Sequence, residues 1–320
     1  MSPHHELRVF VIGGSGFIGT NLVKTLLETN CYVTIFDKEI SPKFSELTIV
    51  GDVREINELT SAMANHDVII NLAAEHRDDV QPKSLYHEVN VMGMNNILQA
   101  AETNNIHRII FTSTVAVYPL NHDKPDEDSV PEPFNEYGKS KLEAEKLLST
   151  WAEKPSNHAL IIRPTVVIGK GNRGNVYNLI KQIQTGYFLM IGDGTNKKSM
   201  CHVNNLVSFI QVKLSLKRTE LYNFVDKPDL TTSEIISIIR SGLKQTRALK
   251  TYFKIPYSIG LLGGAFFDLI SALTGKSFAV SRIRVKKFTA TTIVCSKRLD
   301  NSHFVPNYSL EEGLRSMIID

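Results

Sequence analysis

Cysteine is scarce in this chain: three among 320 residues, Cys31, Cys201 and Cys295. They are far apart, odd in number and without metal-ligand spacing. Neither a disulfide framework nor a zinc site is expected, and a reducing cytosol is. The histidines His76, His87, His122, His158 and His202 show no metal-like spacing either, so no metal is expected. A strong charge of one sign is also missing. The 36 Lys and Arg nearly balance the 33 Asp and Glu, giving a net +3, too mild to argue for a nucleic-acid partner. The N-terminus lacks a secretory core, because Met1 to Glu6 is polar and the apolar run Val9 to Ile12 is short. No signal peptide is expected.

Long hydrophobic runs are absent with one exception. From Ile255 to Leu273 the only formal charge is Asp268, and the stretch approaches the ~20 residues of a spanning helix. Pro256, Gly260, Gly263 and Gly264 argue against a continuous helix there. The expectation is a buried or partner-facing helix, or a surface dip into lipid. Lys276, Arg282, Arg284, Lys286 and Lys287 follow, either as a solvated basic strand or as a contact for anionic lipid.

What is present reads as an ordinary globular protein, with 42% hydrophobic and 22% charged residues, which excludes disorder and fibre. Short apolar runs at Val9–Ile12, Tyr32–Phe36, Leu47–Val50, Val68–Leu72, Arg108–Thr112 and Ala159–Ile162 alternate with helical patterns at Phe17–Glu28, Ile56–Met63, Asn90–Glu102 and Tyr137–Trp151. That rhythm predicts an α/β fold, a doubly wound parallel sheet of Rossmann type. After Arg163-Pro164 glycine and asparagine cluster, and helical patterns follow at Val176–Gln184, Leu206–Leu214 and Ser233–Leu243. We expect a dinucleotide-binding domain over 1–165, with segments near 201–225 returning to it. Residues 166–320 are expected to form a smaller mixed C-terminal lobe that holds substrate over the carboxyl edge of the sheet.

Gly13-Gly14-Ser15-Gly16-Phe17-Ile18-Gly19 follows the first strand and opens the first helix. Glycines there permit a tight turn and close approach of a pyrophosphate to the helix N-terminus. Gly13, Gly16, Phe17, Ile18 and Gly19 are thus candidate cofactor contacts. Asp37 ends the second strand, where a carboxylate binds the ribose 2′-hydroxyl and favours NAD over NADP, a preference the adjacent Lys38 could blunt. Asp52, with Val53, follows the third strand and could bond the adenine amino group. Tyr137 and Lys141 stand four apart, on one helix face. An ammonium beside a phenol of normal pKa ~10 favours phenolate and makes an acid/base. Ser113 and Thr114 leave the fifth strand at the carboxyl edge and offer a hydroxyl to the reacting oxygen.

Gly13 to Gly19, Asn71-Leu72-Ala73-Ala74, Thr112 to Tyr118, Tyr137 to Lys141 and Arg163-Pro164-Thr165 resemble the extended short-chain dehydrogenase/reductase superfamily over essentially the whole chain. The resemblance implies catalytic roles for Thr114, Tyr137 and Lys141. It implies further cofactor contacts at Leu72, Ala73, Ala74 and Pro164, and Asn90 near the active site. Longer stretches are similar to bacterial polysaccharide-cluster 4-epimerases that interconvert N-acetylglucosamine and N-acetylgalactosamine: Leu72 to Val80, Gly171 to Asn178, Asn196 to Met200, Val225 to Asp229 and Arg284 to Phe288. That likeness implies C4 epimerisation through a transient 4-keto sugar, for surface polysaccharide. Glu75, Asn90, Arg173, Asn175, Val176, Lys198 and Arg282 become the expected substrate contacts. Nucleotide-sugar epimerases commonly carry an arginine just before the stretch that here reads His202 to Asn205, where this chain has Lys198-Ser199-Met200-Cys201. Undecaprenyl diphosphate is therefore preferred over UDP as the carrier, with Arg173, Lys197, Lys198 or Arg282 supplying the charge. Sugar dehydratases have an Asp-Glu pair where this chain has Val115-Ala116, so elimination is disfavoured. An NAD(P)-dependent reductase and a non-catalytic dinucleotide module stay open as alternatives. The family also implies a homodimer, in the cytoplasm and at the inner face of the plasma membrane if the carrier is a lipid.

Overall fold

The computed structural model describes residues 6–77, 80–121, 123–243, 253–275 and 281–318. Asp78, Asp79, His122 and Lys276 lie outside the described residues. Seven parallel strands form the main sheet: β1 (Arg8–Ile12), β2 (Tyr32–Asp37), β3 (Thr48–Val50), β4 (Val68–Asn71), β5 (Arg108–Thr112), β6 (His158–Pro164) and, after an excursion, β10 (Glu220–Phe224). Their order is β3-β2-β1-β4-β5-β6-β10. The apolar runs are continuous because both faces are covered. Along β1, Val9 and Val11 enter one core cluster and Phe10 and Ile12 the other. Helices α1 (Phe17–Leu27) and α7 (Val203–Val212) cover the first face. Helices α2 (Ile56–Ala62), α4 (Gly93–Thr103) and α5 (Glu136–Trp151) cover the second. A short helix α3 (Ser84–His87) and a π-helical turn, Glu88–Met92, lead into α4. The strand order reverses between β1 and β4, which opens a crevice at their carboxyl ends.

The second lobe is mixed. Strands β7 (Val166–Ile168), β9 (Lys197–His202) and β11 (Asp226–Thr231) form one small sheet, with β9 parallel to β7 and antiparallel to β11. Strands β8 (Met190–Ile191) and β12 (Lys254–Ile255) form a two-stranded ribbon. Helices α6 (Asn175–Thr185), α8 (Thr232–Gly242) and α12 (Leu310–Ser316) pack a third core around Ile180, Ile183, Ile236, Ile239 and Leu314. Helix α9 (Tyr257–Thr274) packs on α10 (Arg282–Thr289), and α11 (Lys297–Asp300) lies near β10.

Three expectations are corrected around α9. It runs unbroken for 18 residues in spite of its three glycines. Pro256 sits at its N-cap, where a missing N–H costs nothing. Two of the glycines are close contacts: a Cβ on Gly260 would stand 2.6 Å from the Ile191 side chain, and one on Gly264 2.8 Å from the Arg282 backbone. The helix is not buried: only 11% of its residues are, and Leu262 and Leu273 are 72% and 78% exposed. The basic segment after it is a helix, α10, and not a strand.

Candidate active site

The glycine loop turns the chain between β1 and α1. Gly13 has φ +78°, and a Cβ there would come within 2.7 Å of the Ala73 nitrogen. Helix α1 starts at Gly16 with no side-chain cap and no acid in its first turn. Its leading N–H groups are therefore left for an anion in the crevice. Asp37 turns toward this loop, accepting the Ser15 N–H at 2.9 Å and the Glu39 N–H at 3.2 Å. Asp52 is held by Arg54 at 2.7 Å, and that guanidinium keeps its carboxyl below the usual range. These groups fit a dinucleotide whose diphosphate sits on the α1 terminus and whose ribose reaches Asp37.

All of this lines one cleft of about 3060 Å³, some three times the upper size of an ordinary small-ligand pocket of roughly 1,000 Å³. Every expected cofactor residue lies on its wall: Gly13, Gly16, Phe17, Ile18, Gly19, Asp37, Asp52, Val53, Leu72, Ala73, Ala74, Tyr137, Lys141 and Pro164. So do Thr114, Glu75, Arg173, Asn175, Val176 and Lys198. Two expected substrate contacts lie elsewhere. Arg282 is exposed on α10, away from the cleft wall; Arg284 and Lys287 of the same helix line it instead. Asn90 is 4% exposed within the π-helical turn. Its amide accepts the Glu75 N–H at 2.8 Å and donates to the Glu75 carbonyl at 3.0 Å and to Ser140 Oγ at 2.9 Å. It ties the Glu75 loop to α5 and so positions the site from behind.

Helix α5 carries the expected acid/base pair, Tyr137 and Lys141. Asn135 caps it, accepting the Gly138 N–H at 2.8 Å. Gly138 lets the first turn press on the turn Val115–Val117, since a Cβ there would stand 2.2 Å from the Ala116 carbonyl oxygen. This contact brings Tyr137 to the loop that bears Thr114. Thr114 Oγ1 accepts the Ala116 N–H at 3.1 Å, which leaves its own hydrogen to donate into the cleft. The neighbouring Ser113 Oγ is buried on the cleft wall with no partner among the described residues, and is a second hydroxyl at the site. The Tyr86 ring packs 6.5 Å from that of Tyr137.

Lys141 is 1% exposed, with Nζ 4.0 Å from the Phe111 ring centre. Burial pushes its ammonium down to about 7, while the carboxylate of Glu145, one turn on, pulls it up. Glu145 is itself clamped by Arg163, whose Nε and Nη2 donate at 2.9 and 2.6 Å. Arg163 Nη1 donates to the Tyr118 hydroxyl at 2.7 Å, and that hydroxyl donates toward the Asp126 carbonyl and Asn223 Oδ1. Sequence reasoning missed Glu145, although its spacing of four from Lys141 was the available signal.

Lysine burial has a measurable cost. The unfolded side chain titrates near ~10.4, so between pH 7 and 10 the unfolded state binds more protons and stability rises with pH. Below pH 7 the penalty is present in full. Lys141→Met removes it and leaves Glu145 paired with Arg163. The cofactor-free variant should be more stable at pH 6 by about 1–3 kcal/mol, a gap that closes toward pH 10. Urea titrations at both pH values check this; equal stability at pH 6 would refute it.

Lys198 departs from its expected place on a diphosphate. Its Nζ donates to the Lys287 carbonyl at 2.7 Å and to the Ala290 carbonyl at 2.6 Å, latching β9 to the end of α10. Burial lowers it to about 8. Arg173 lies over the Tyr177 ring at 4.5 Å.

A model of the NAD dependent epimerase/dehydratase family matches residues 9–223. The chain is similar to the N-acetyl-alpha-D-glucosaminyl-diphospho-ditrans,octacis-undecaprenol 4-epimerase of Escherichia coli O157:H7, 48% identical over 96% of this chain and 92% of the relative. A UDP-glucose 4-epimerase of Vibrio cholerae is 29% identical over 96% and 93%. Among solved structures, the Thermus thermophilus UDP-glucose 4-epimerase in complex with NAD has a TM-score of 0.77 at 19% identity, covering 98% of both chains.

Proposed function

Because this chain belongs to the NAD dependent epimerase/dehydratase family, we propose that it inverts C4 of an N-acetylhexosamine, converting N-acetylglucosamine to N-acetylgalactosamine and back, on undecaprenyl diphosphate. When bound, NAD supplies the acceptor and donor of hydride at C4. Tyr137 takes the proton from O4 and returns it, and Thr114 donates a hydrogen bond that holds O4 in place. Lys141, one turn along α5, favours the phenolate by its charge. Inversion needs the 4-keto sugar to turn over before hydride returns, and a cleft of about 3060 Å³ leaves space for that. Val115 and Ala116 offer no acid or base next to Thr114, which supports inversion over elimination.

The observation that carries the lipid carrier is α9, an exposed apolar helix packed on the basic helix α10. The 48% identity to an undecaprenol-linked epimerase supports the same reading. Gly260 and Gly264 bind one side of α9 to protein, so it lies along the lipid surface and does not span it. We place the enzyme at the inner face of the plasma membrane. Purified protein incubated with the undecaprenyl-diphosphate sugar in vesicles and, separately, with UDP-N-acetylglucosamine should give product from the lipid substrate. It should also float with phosphatidylglycerol vesicles and release at high salt. Product from the nucleotide sugar alone would refute the carrier.

A further inference from the structure

Helix α9 presents two apolar surfaces that meet along one edge, and we infer that they form a groove for the first isoprene units of the substrate's lipid carrier. The inference rests on the lipid-diphosphate reading above. Successive residues advance about 100° around a helix. Ile259, Leu262, Phe266, Leu269 and Leu273, spaced by three and four, fall on one outward stripe and are 56–78% exposed. Gly260, Gly263 and Phe267 fall on the adjoining stripe and line the cleft. Ile259 belongs to both. Apolar surface therefore wraps from the outside of α9 into the cleft without a polar break. Leu189, Ile191 and Ile255 add to the same cleft wall.

The chemistry of that wall selects the occupant. A uridine would need hydrogen-bond partners for its base edge, and the side chains of Leu189, Ile191, Ile255 and Ile259 offer none. A hydrocarbon chain needs only to leave water. The cleft also carries Arg284 and Lys287, cations suited to a diphosphate. One molecule that joins a sugar, a diphosphate and a hydrocarbon matches the reacting hydroxyls, these cations and the apolar annex together. A second copy of the chain is the competing occupant of the outer stripe. It is disfavoured because α9 carries no row of flanking charges to set a helix pair in register, and the Asp268 carboxylate accepts the Arg282 N–H.

The full-length protein would be assayed with N-acetylglucosamine diphosphates bearing one to four isoprene units and with UDP-N-acetylglucosamine. For the wild type, kcat/KM should rise about tenfold per unit over the first units and then level off. Gly263→Phe fills the annex. No atom lies within 4 Å of a Cβ at Gly263, so the side chain enters without a clash, and leaving glycine favours the helix. The melting temperature should hold or rise, and the dependence on chain length should flatten to within about twofold per unit. A flat profile in the wild type, or an unchanged rise in Gly263→Phe, overturns the groove while turnover of the short prenyl substrates keeps the carrier. Dimers that dissociate in a Leu262→Glu, Leu269→Glu variant, together with a flat profile, assign the stripe to a second copy and overturn the groove as well. Turnover of the UDP-sugar alone overturns both readings.

Discussion

Tyr137→Phe should lower kcat by about 10²–10⁴ while leaving dinucleotide affinity within about twofold. In the proposed reaction the phenol oxygen carries the proton, and the contacts that seat the ring do not depend on it. The N-cap at Asn135, the contact of Gly138 with the Ala116 carbonyl and the packing of the Tyr86 ring are all made without it. Calorimetric titration with NAD and product analysis by chromatography separate the two quantities. Activity within tenfold of wild type would mean that another group carries the proton, and Thr114 would be the first to test. Loss of dinucleotide binding would instead show that the hydroxyl holds the cofactor.

Glu145→Ala should lower stability by about 3–5 kcal/mol, because it leaves the Arg163 guanidinium buried without its counter-ion. Both side chains are 4% exposed, too little for water to replace the lost partner. The Tyr118 hydroxyl, still within 2.7 Å of Arg163 Nη1, is neutral and does not balance the charge. Activity should fall as well, since Glu145 sustains the charge of Lys141. The double variant Glu145→Leu, Arg163→Met should recover much of the stability but not the activity. Guanidinium denaturation measures the first and epimer formation the second. A single variant that unfolds like wild type would mean that the pair contributes nothing net.

The parallel sheet was legible because each strand is a short apolar run and each covering helix has an apolar stripe. The glycine loop was legible because its chemistry is local: strand, turn and uncapped helix follow one another in sequence. Tyr137 and Lys141 share a helix face for the same reason. What sequence concealed depends on distant partners. Lys198 reads as a cation for a diphosphate, yet two carbonyls some 90 residues away hold it. Asn90 reads as an active-site amide, but the π-helical turn faces it toward Glu75 and Ser140. The glycines of α9 suggest breakage because propensity is local, whereas their use is to let Ile191 and the Arg282 backbone approach.

The late arrival of β10 has a consequence for modularity. Its pairing with β6 completes the main sheet only after the chain has passed through β7, α6, β8, β9 and α7. A fragment that stopped at residue 165 would keep every glycine of the nucleotide loop. It would also bare the edge of β6 to self-association and strip from α1 the apolar cover that α7 provides. The two lobes are interlaced and not strung in tandem, so inheritance or engineering must move them as one piece. A new specificity has to be cut into the second lobe in place, with the first attached.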